Sequence, residues 1–231
     1  MINLTTLELV RERIENALRS TSRENEPPVE IVAVTKAFPG KYIISAYESG
    51  LLTIGENRVQ EAEQKFKKLP QLPGLKRRLI GHLQSNKARK ALAIFDTIDS
   101  VNSIKLARRL SKATAEKGEP FPVLAQVNTA ADPAKFGFAL NETDLLLEMA
   151  DLPGLRVDGL MTIGEITQDK ARTRRTFQRL REMRDNLNAQ LTNEKQMREL
   201  SMGMTADFEM AVEEGATMIR IGTALFGERP R

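Results

Sequence analysis

A single (β/α)8 barrel of the TIM type, α/β in class and spanning residues 1–231 as one domain, is the fold this sequence predicts. Three observations carry that expectation. Eight short apolar runs alternate with segments of helical periodicity along the whole chain, an order that calls for parallel strands joined by crossover helices. At 231 residues the chain has the size that one such barrel requires. The turn after the first run reads T-K-A-F-P-G and not G-x-G-x-x-G, which speaks against the doubly wound open sheet, the alternative arrangement.

An amphipathic helix at 4–18 comes first, and Glu26-Pro27-Pro28 breaks the chain before a strand at 29–34, which exits through Thr35-Lys36. A helix at 42–49 leads to a strand at 51–54 that leaves by Gly55-Glu56-Asn57; a helix at 58–68 leads to one at 79–80 that leaves by Gly81-His82. Helix 86–93 precedes strand 95–98 with its exit at Asp99-Ser100, and helix 104–117 precedes strand 123–127, which ends at Asn128. There follow helix 142–150, strand 157–161 ending at Thr162, helix 170–191, and strand 199–200 ending at Ser201-Met202-Gly203. Helix 206–214 and strand 218–221, ending at Gly222-Thr223, complete the alternation. Too little chain follows Gly222 for an eighth outer helix, so the N-terminal helix is expected to cover the gap beside the first and last strands.

Composition narrows the chemistry. No cysteine is present and there is a single histidine, so disulfides, thiolate chemistry and multi-histidine metal sites are excluded, and no metal site is expected. No apolar run approaches the ~20 residues that span a bilayer, and the N-terminus lacks the order of a signal peptide; no membrane contact and a cytoplasmic location are expected. Thirty-five basic against 31 acidic residues is a weak argument for nucleic acid, and 5% aromatic content supplies few stacking platforms. In the most basic stretch, 169–185, Phe177, Leu180 and Met183 recur at helical spacing, which reads as an amphipathic helix with a solvated charged face.

Active sites of such barrels lie where the strands end. Lys36, Asn57, His82, Asn128, Thr162, Ser201 and Arg220 all fall at or near a strand's end, and one mouth would collect them. Singly, each has an ordinary explanation as a turn lysine, a loop cap or a surface arginine; their co-location carries the argument. The loops after the last two strands, 201–205 and Gly222-Thr223, suit a phosphate through glycine backbone and hydroxyls. A lysine facing a phosphate site suggests an aldehyde cofactor held as a Schiff base, for which pyridoxal 5'-phosphate (PLP) is the obvious candidate. A phosphosugar aldolase or lyase would use similar parts, with its lysine usually on a mid-barrel strand.

At these residues the sequence resembles the pyridoxal-phosphate homeostasis proteins, the YggS/PROSC family, single-barrel relatives of the alanine racemase N-terminal domain. The resemblance rests on VAVTK (32–36), GENRVQE (55–61), IGHLQSNK (80–87), VN (127–128), GLMTI (159–163), SMGMTAD (201–207) and RIGTALFG (220–227), in the family's order. It implies that Lys36 carries PLP as a Schiff base, with Ser201, Gly203, Gly222 and Thr223 around the phosphate. Asn57 and His82 would line the ring pocket, Met161 and Met204 would border the cofactor, and Arg220 would face the pyridine nitrogen. Arginine does not readily release a proton, so the ring nitrogen would stay unprotonated and carbanion chemistry would be restrained. The chain departs from the family pattern at Arg58, Arg77-Arg78, Asp99, Asn102 and 132–134, while Lys135 keeps the family's second lysine.

The resemblance thus implies a PLP-binding regulator without an established reaction, monomeric, with PLP-dependent enzymes as candidate recipients. A weak racemase or transaminase-like activity is the alternative. Alanine racemase takes a second base, a tyrosine, from a separate domain of the partner subunit, and Tyr42 and Tyr47 fall instead in the first crossover helix.

Overall fold

The computed structural model describes residues 1–115, 118–164 and 167–228. Eight parallel strands close on themselves: β1 (Glu30–Val34), β2 (Thr53–Glu56), β3 (Lys76–Leu79), β4 (Thr97–Val101), β5 (Phe121–Gln126), β6 (Leu155–Met161), β7 (Glu199–Ser201) and β8 (Met218–Ile221), which pairs back with β1. The predicted barrel is therefore the observed one. Outside it run α1 (Leu4–Ser20), α2 (Lys41–Glu48), α3 (Val59–Phe66), α4 (Ala88–Ile94), α5 (Ile104–Thr114), α6 (Thr143–Ala150), α7 (Lys170–Asn188), α8 (Phe208–Glu213) and α9 (Thr223–Phe226). The expected end of the fifth helix, Lys117, lies outside the described residues.

Side-chain caps start three of these helices: Asn3, Ser103 and Asp169 each accept the amide three residues on, satisfying a donor that the first turn leaves open. The long α7 buries Phe177, Leu180, Met183 and Leu187 along one stripe, while Arg174 and Arg181 pair with Glu213 and Glu214. The basic stretch is the charged outer face that its periodicity predicts.

The seam between β8 and β1 is covered as expected. Helix α1 packs on α8 and α9; Arg13 pairs with Glu209, the Asn3 amide donates to Leu225 O at 2.9 Å, and the Ile2 amide donates to Ser45 Oγ at 3.1 Å on the β1 side. A single helical turn, α9, follows β8 where none is predicted. Its Leu225 and Phe226 are buried, so even one turn covers apolar surface there.

Strands β2, β3 and β4 lie away from their predicted places, and for one reason. The prediction follows apolar runs, but this part of the barrel interior is charged. Arg78 of β3 is almost fully buried; its Nε donates to Asp99 Oδ2 of β4 at 2.8 Å and its Nη2 to Glu199 Oε2 of β7 at 2.8 Å, with Glu30 of β1 3.9 Å away. Burial alone would lower Arg78, but Asp99 and Glu199 outweigh it and raise the guanidinium above its ordinary value. Strand β2 likewise ends on a buried Glu56, while Leu52, inside the predicted strand, is exposed. Close backbone approach also shapes the ring: a Cβ on Gly159 of β6 would fall 1.9 Å from Glu199 O, so only glycine lets β6 and β7 meet there.

Candidate functional site

Lys36 follows β1 by two residues and is half-buried. Its backbone is held on both sides. Before it, the buried Thr35 donates its amide to Gly55 O and its hydroxyl to Glu56 Oε1 at 2.7 Å. After it, Ala37 adopts φ 63°, a left-handed conformation that a β-carbon disfavours. The Ala37 amide donates to Glu61 Oε1 at 2.8 Å, and the Phe38 amide returns to Thr35 O at 3.0 Å.

The opposite wall of the mouth is built on Arg220, buried in β8 and level with Val32 of β1. Its Nη1 donates to Ser201 O at 2.7 Å and to Ser201 Oγ at 2.8 Å, and its Nη2 to Thr162 O at 2.7 Å. Burial draws this guanidinium down to about 10 against the pull of Asp99 and Asp207, which leaves it charged at neutral pH. Through its amide Arg220 also holds Gly203 O at 3.0 Å, tying the loop after β7 to β8. Gly203 has φ 90°, and a Cβ there would meet Ala211 Cβ at 2.6 Å.

Ser201 is fully buried, and its Oγ accepts from Arg220 Nη1, which leaves its own O–H without an acceptor among the described residues. The turn before α8 is partly self-satisfied, because the Met204 amide donates to Asp207 Oδ1 at 2.6 Å and Met204 O accepts the amides of Asp207 and Phe208. The amides of Gly203, Gly222 and Thr223 have no acceptor among the described residues, and the Thr223 side chain is exposed.

Asn57, half-buried, stands at the exit of β2 against the exit of β3, where a Cβ on Gly81 would come 2.4 Å from Asn57 O. His82 is exposed and oriented from two sides: Nδ1 lies 3.2 Å from Asn102 Nδ2, and the ring stacks on Phe136 with centroids 4.1 Å apart. Met161 is buried at the end of β6 and Met204 is half-buried. Asn128 serves its own loop, donating to Asp132 O at 2.7 Å, and Thr162 Oγ1 bonds Thr129 Oγ1 and Val127 O. Both side chains are thus engaged by neighbouring loop and strand-end groups, and Thr162 also lends its carbonyl to Arg220. Lys135 donates to Gly164 O at 3.1 Å, bridging the loops after β5 and β6.

A family model described as the alanine racemase N-terminal domain matches residues 10–230. The chain belongs to that family. Among its relatives in the alanine racemase N-terminal domain family are the pyridoxal phosphate homeostasis protein of Pseudomonas aeruginosa, 40% identical over 221 residues (95% of this chain, 93% of the relative), and that of Homo sapiens, 38% identical over 235 residues (96% and 85%). The structure of PipY of Synechococcus elongatus PCC7942, with PLP bound, superposes with a TM-score of 0.79 at 39% identity, covering 93% of this chain and all of that one. An alanine racemase of Clostridium difficile 630 shares the fold at a TM-score of 0.76 and 19% identity; this chain spans 61% of it.

Reasoning from sequence passes over Phe136 and the acidic pair Glu56 and Glu61. Phe136 gives no signal, being a lone exposed aromatic in a loop. The glutamates lie in GENRVQE, and the spacing of Glu61 to Lys65 is the helical i,i+4 that joins an acid to a base.

Proposed function

We propose that this chain binds PLP at the barrel mouth, holding it as a Schiff base on Lys36, and serves PLP homeostasis. The single observation that carries the reading is the placement of Lys36 at the exit of β1, beside β8, whose exit offers the unspent amides of Gly222 and Thr223. The donor set fits the cofactor. The amides of Gly203, Gly222 and Thr223 with the Thr223 hydroxyl suit a phosphate dianion, and Ser201 acts from beneath by fixing Arg220. The similarity to PipY, solved with PLP, supports the same assignment.

When bound, PLP supplies an aldehyde to the amine and a ring that accepts electrons. Lys36 contributes the amine. Three acceptors immobilise Arg220, which has only donors to offer, so a ring nitrogen held beside it would be kept from protonation. Asn57, His82, Met161 and Met204 would border the ring. A restrained electron sink suits storage and delivery better than turnover. Neither tyrosine is placed as a second base: Tyr42 packs against Phe38 and Phe226, and Tyr47 donates to Pro73 O. No helix among the described residues is long and apolar enough to cross a membrane. We place the protein in the cytoplasm as a monomer, with PLP-dependent enzymes as its recipients.

An absorbance spectrum of the purified protein with PLP tests the reading. A visible band that free lysine lacks is expected, and a colourless protein would favour a phosphosugar lyase. Thr223→Ala examines the phosphate contact alone. Loss of one hydrogen bond to a charged group costs about 1.5–3 kcal/mol, so PLP affinity should fall about tenfold or more with the melting temperature unchanged. An unaltered titration curve would place the phosphate elsewhere. Ser201→Ala is a poorer probe, since it also strips an acceptor from Arg220.

A further inference from the structure

The mouth residues above leave unused a largely buried cation directly beneath the lysine turn. Lys65 of α3 reaches back to β1 and β2, and its side chain is 10% exposed. Its Nζ donates to Thr35 O at 2.9 Å and to Glu56 Oε1 at 2.8 Å, and lies 2.9 Å from Glu61 Oε1. The two glutamates in turn hold the residues on either side of Lys36. Glu56 accepts the Thr35 hydroxyl, and Glu61 accepts the Ala37 amide. One ammonium thus closes two bridges, one ending just before Lys36 and one just after it.

We propose that Lys65 is a positioning residue for Lys36: by clamping Glu56 and Glu61 it fixes the strained turn at Ala37 and so sets the place from which the Lys36 amine meets an aldehyde. This rests on the assignment of PLP to Lys36. At Glu56 the need is electrostatic: the Lys65 ammonium, with little solvent contact, calls for a carboxylate, and Glu56 supplies one at hydrogen-bond distance. At Ala37 the need is geometric. A residue with a β-carbon stays left-handed only when its surroundings impose it, and the bond to Glu61 is the restraint present on its amide.

The covalent step itself is balanced without a further reactant: the neutral amine adds to the aldehyde carbon, and the carbonyl oxygen leaves as water with the two amine protons. A clamp that acts on this step affects binding of an aldehyde and spares binding of the matching alcohol. The probes are therefore PLP and pyridoxine 5'-phosphate, which carries the same ring and phosphate but forms no imine. Glu61, one-third exposed, can be truncated without opening the core.

For Glu61→Ala we expect PLP to bind about tenfold more weakly with pyridoxine 5'-phosphate unchanged, and Glu61→Gln, which keeps an acceptor for the Ala37 amide, to restore at least half of the loss. Lys65→Met should show the same split more strongly; if that chain does not fold, the Glu61 pair decides. Equal weakening of both ligands would reduce the network to ordinary scaffolding, and parent-like binding of both would remove it altogether. A parent protein that gives no borohydride adduct at Lys36 would instead overturn the cofactor assignment, leaving the two failures distinct.

Discussion

Lys36→Ala is expected to abolish the visible band entirely and to leave no borohydride-trapped adduct on the chain. The substitution removes the Lys36 amine while sparing the amides of Gly203, Gly222 and Thr223 and the Arg220 guanidinium, so a phosphate would keep its donors. Residual binding should persist but weaken by about a hundredfold, equivalent to ~3 kcal/mol. Because Lys36 is half-buried at a turn, its truncation should shift thermal stability little. Reduction of the parent with borohydride followed by peptide mapping is the companion measurement. Label on Lys135 or Lys87 alone, in the parent, would move the covalent site to another loop of the mouth.

Asp99→Ala should produce the largest loss of stability, about 3–5 kcal/mol, because it strands a buried guanidinium. Arg78 and Asp99 are both almost without solvent contact, so water cannot replace the lost carboxylate. Of the carboxylates that remain, Glu199 holds one edge of the guanidinium at 2.8 Å and Glu30 stands 3.9 Å away, too far for a hydrogen bond. For a chain of this length the melting temperature should drop on the order of 10 °C. Removing the cation as well, in Arg78→Leu combined with Asp99→Ala, should recover most of the deficit, since a buried pair contributes little net stability and its broken half costs much. A single variant that melts with the parent would show that the interior charges are reached by solvent.

The same charges explain where the sequence was legible. Strands β5, β6 and β8 stand close to where their apolar runs predict, because Val123, Leu124, Leu160 and Ile219 occupy buried positions there. Strands β2, β3 and β4 shift because Glu56, Arg78, Asp99 and Ser100 are buried polar residues, and alternation of hydropathy has no means of telling a paired interior charge from a solvated one. At the mouth, Lys36, Arg220 and Gly222 could be named since strand ends are marked by abrupt loss of apolar character. What a hydroxyl or amide does after the strand end was not legible: Ser201 turned inward to Arg220, and Asn128 folded onto its own loop. These outcomes depend on partners distant in sequence, as does the seat of Lys65.

The seam between β1 and β8 has a consequence for biosynthesis. Glu30 pairs with Met218, so the ring of strands joins residues that leave the ribosome almost a full chain apart. Until β8 is made, β1 and β7 present open edges and α1 lacks the surface of α8 and α9 on which it packs. Closure is thus a late, non-local event, the kind of contact whose entropic cost slows folding and whose delay exposes strands to other chains. The amphipathic helix α1, made well before α8 and α9, keeps its apolar face uncovered during that interval.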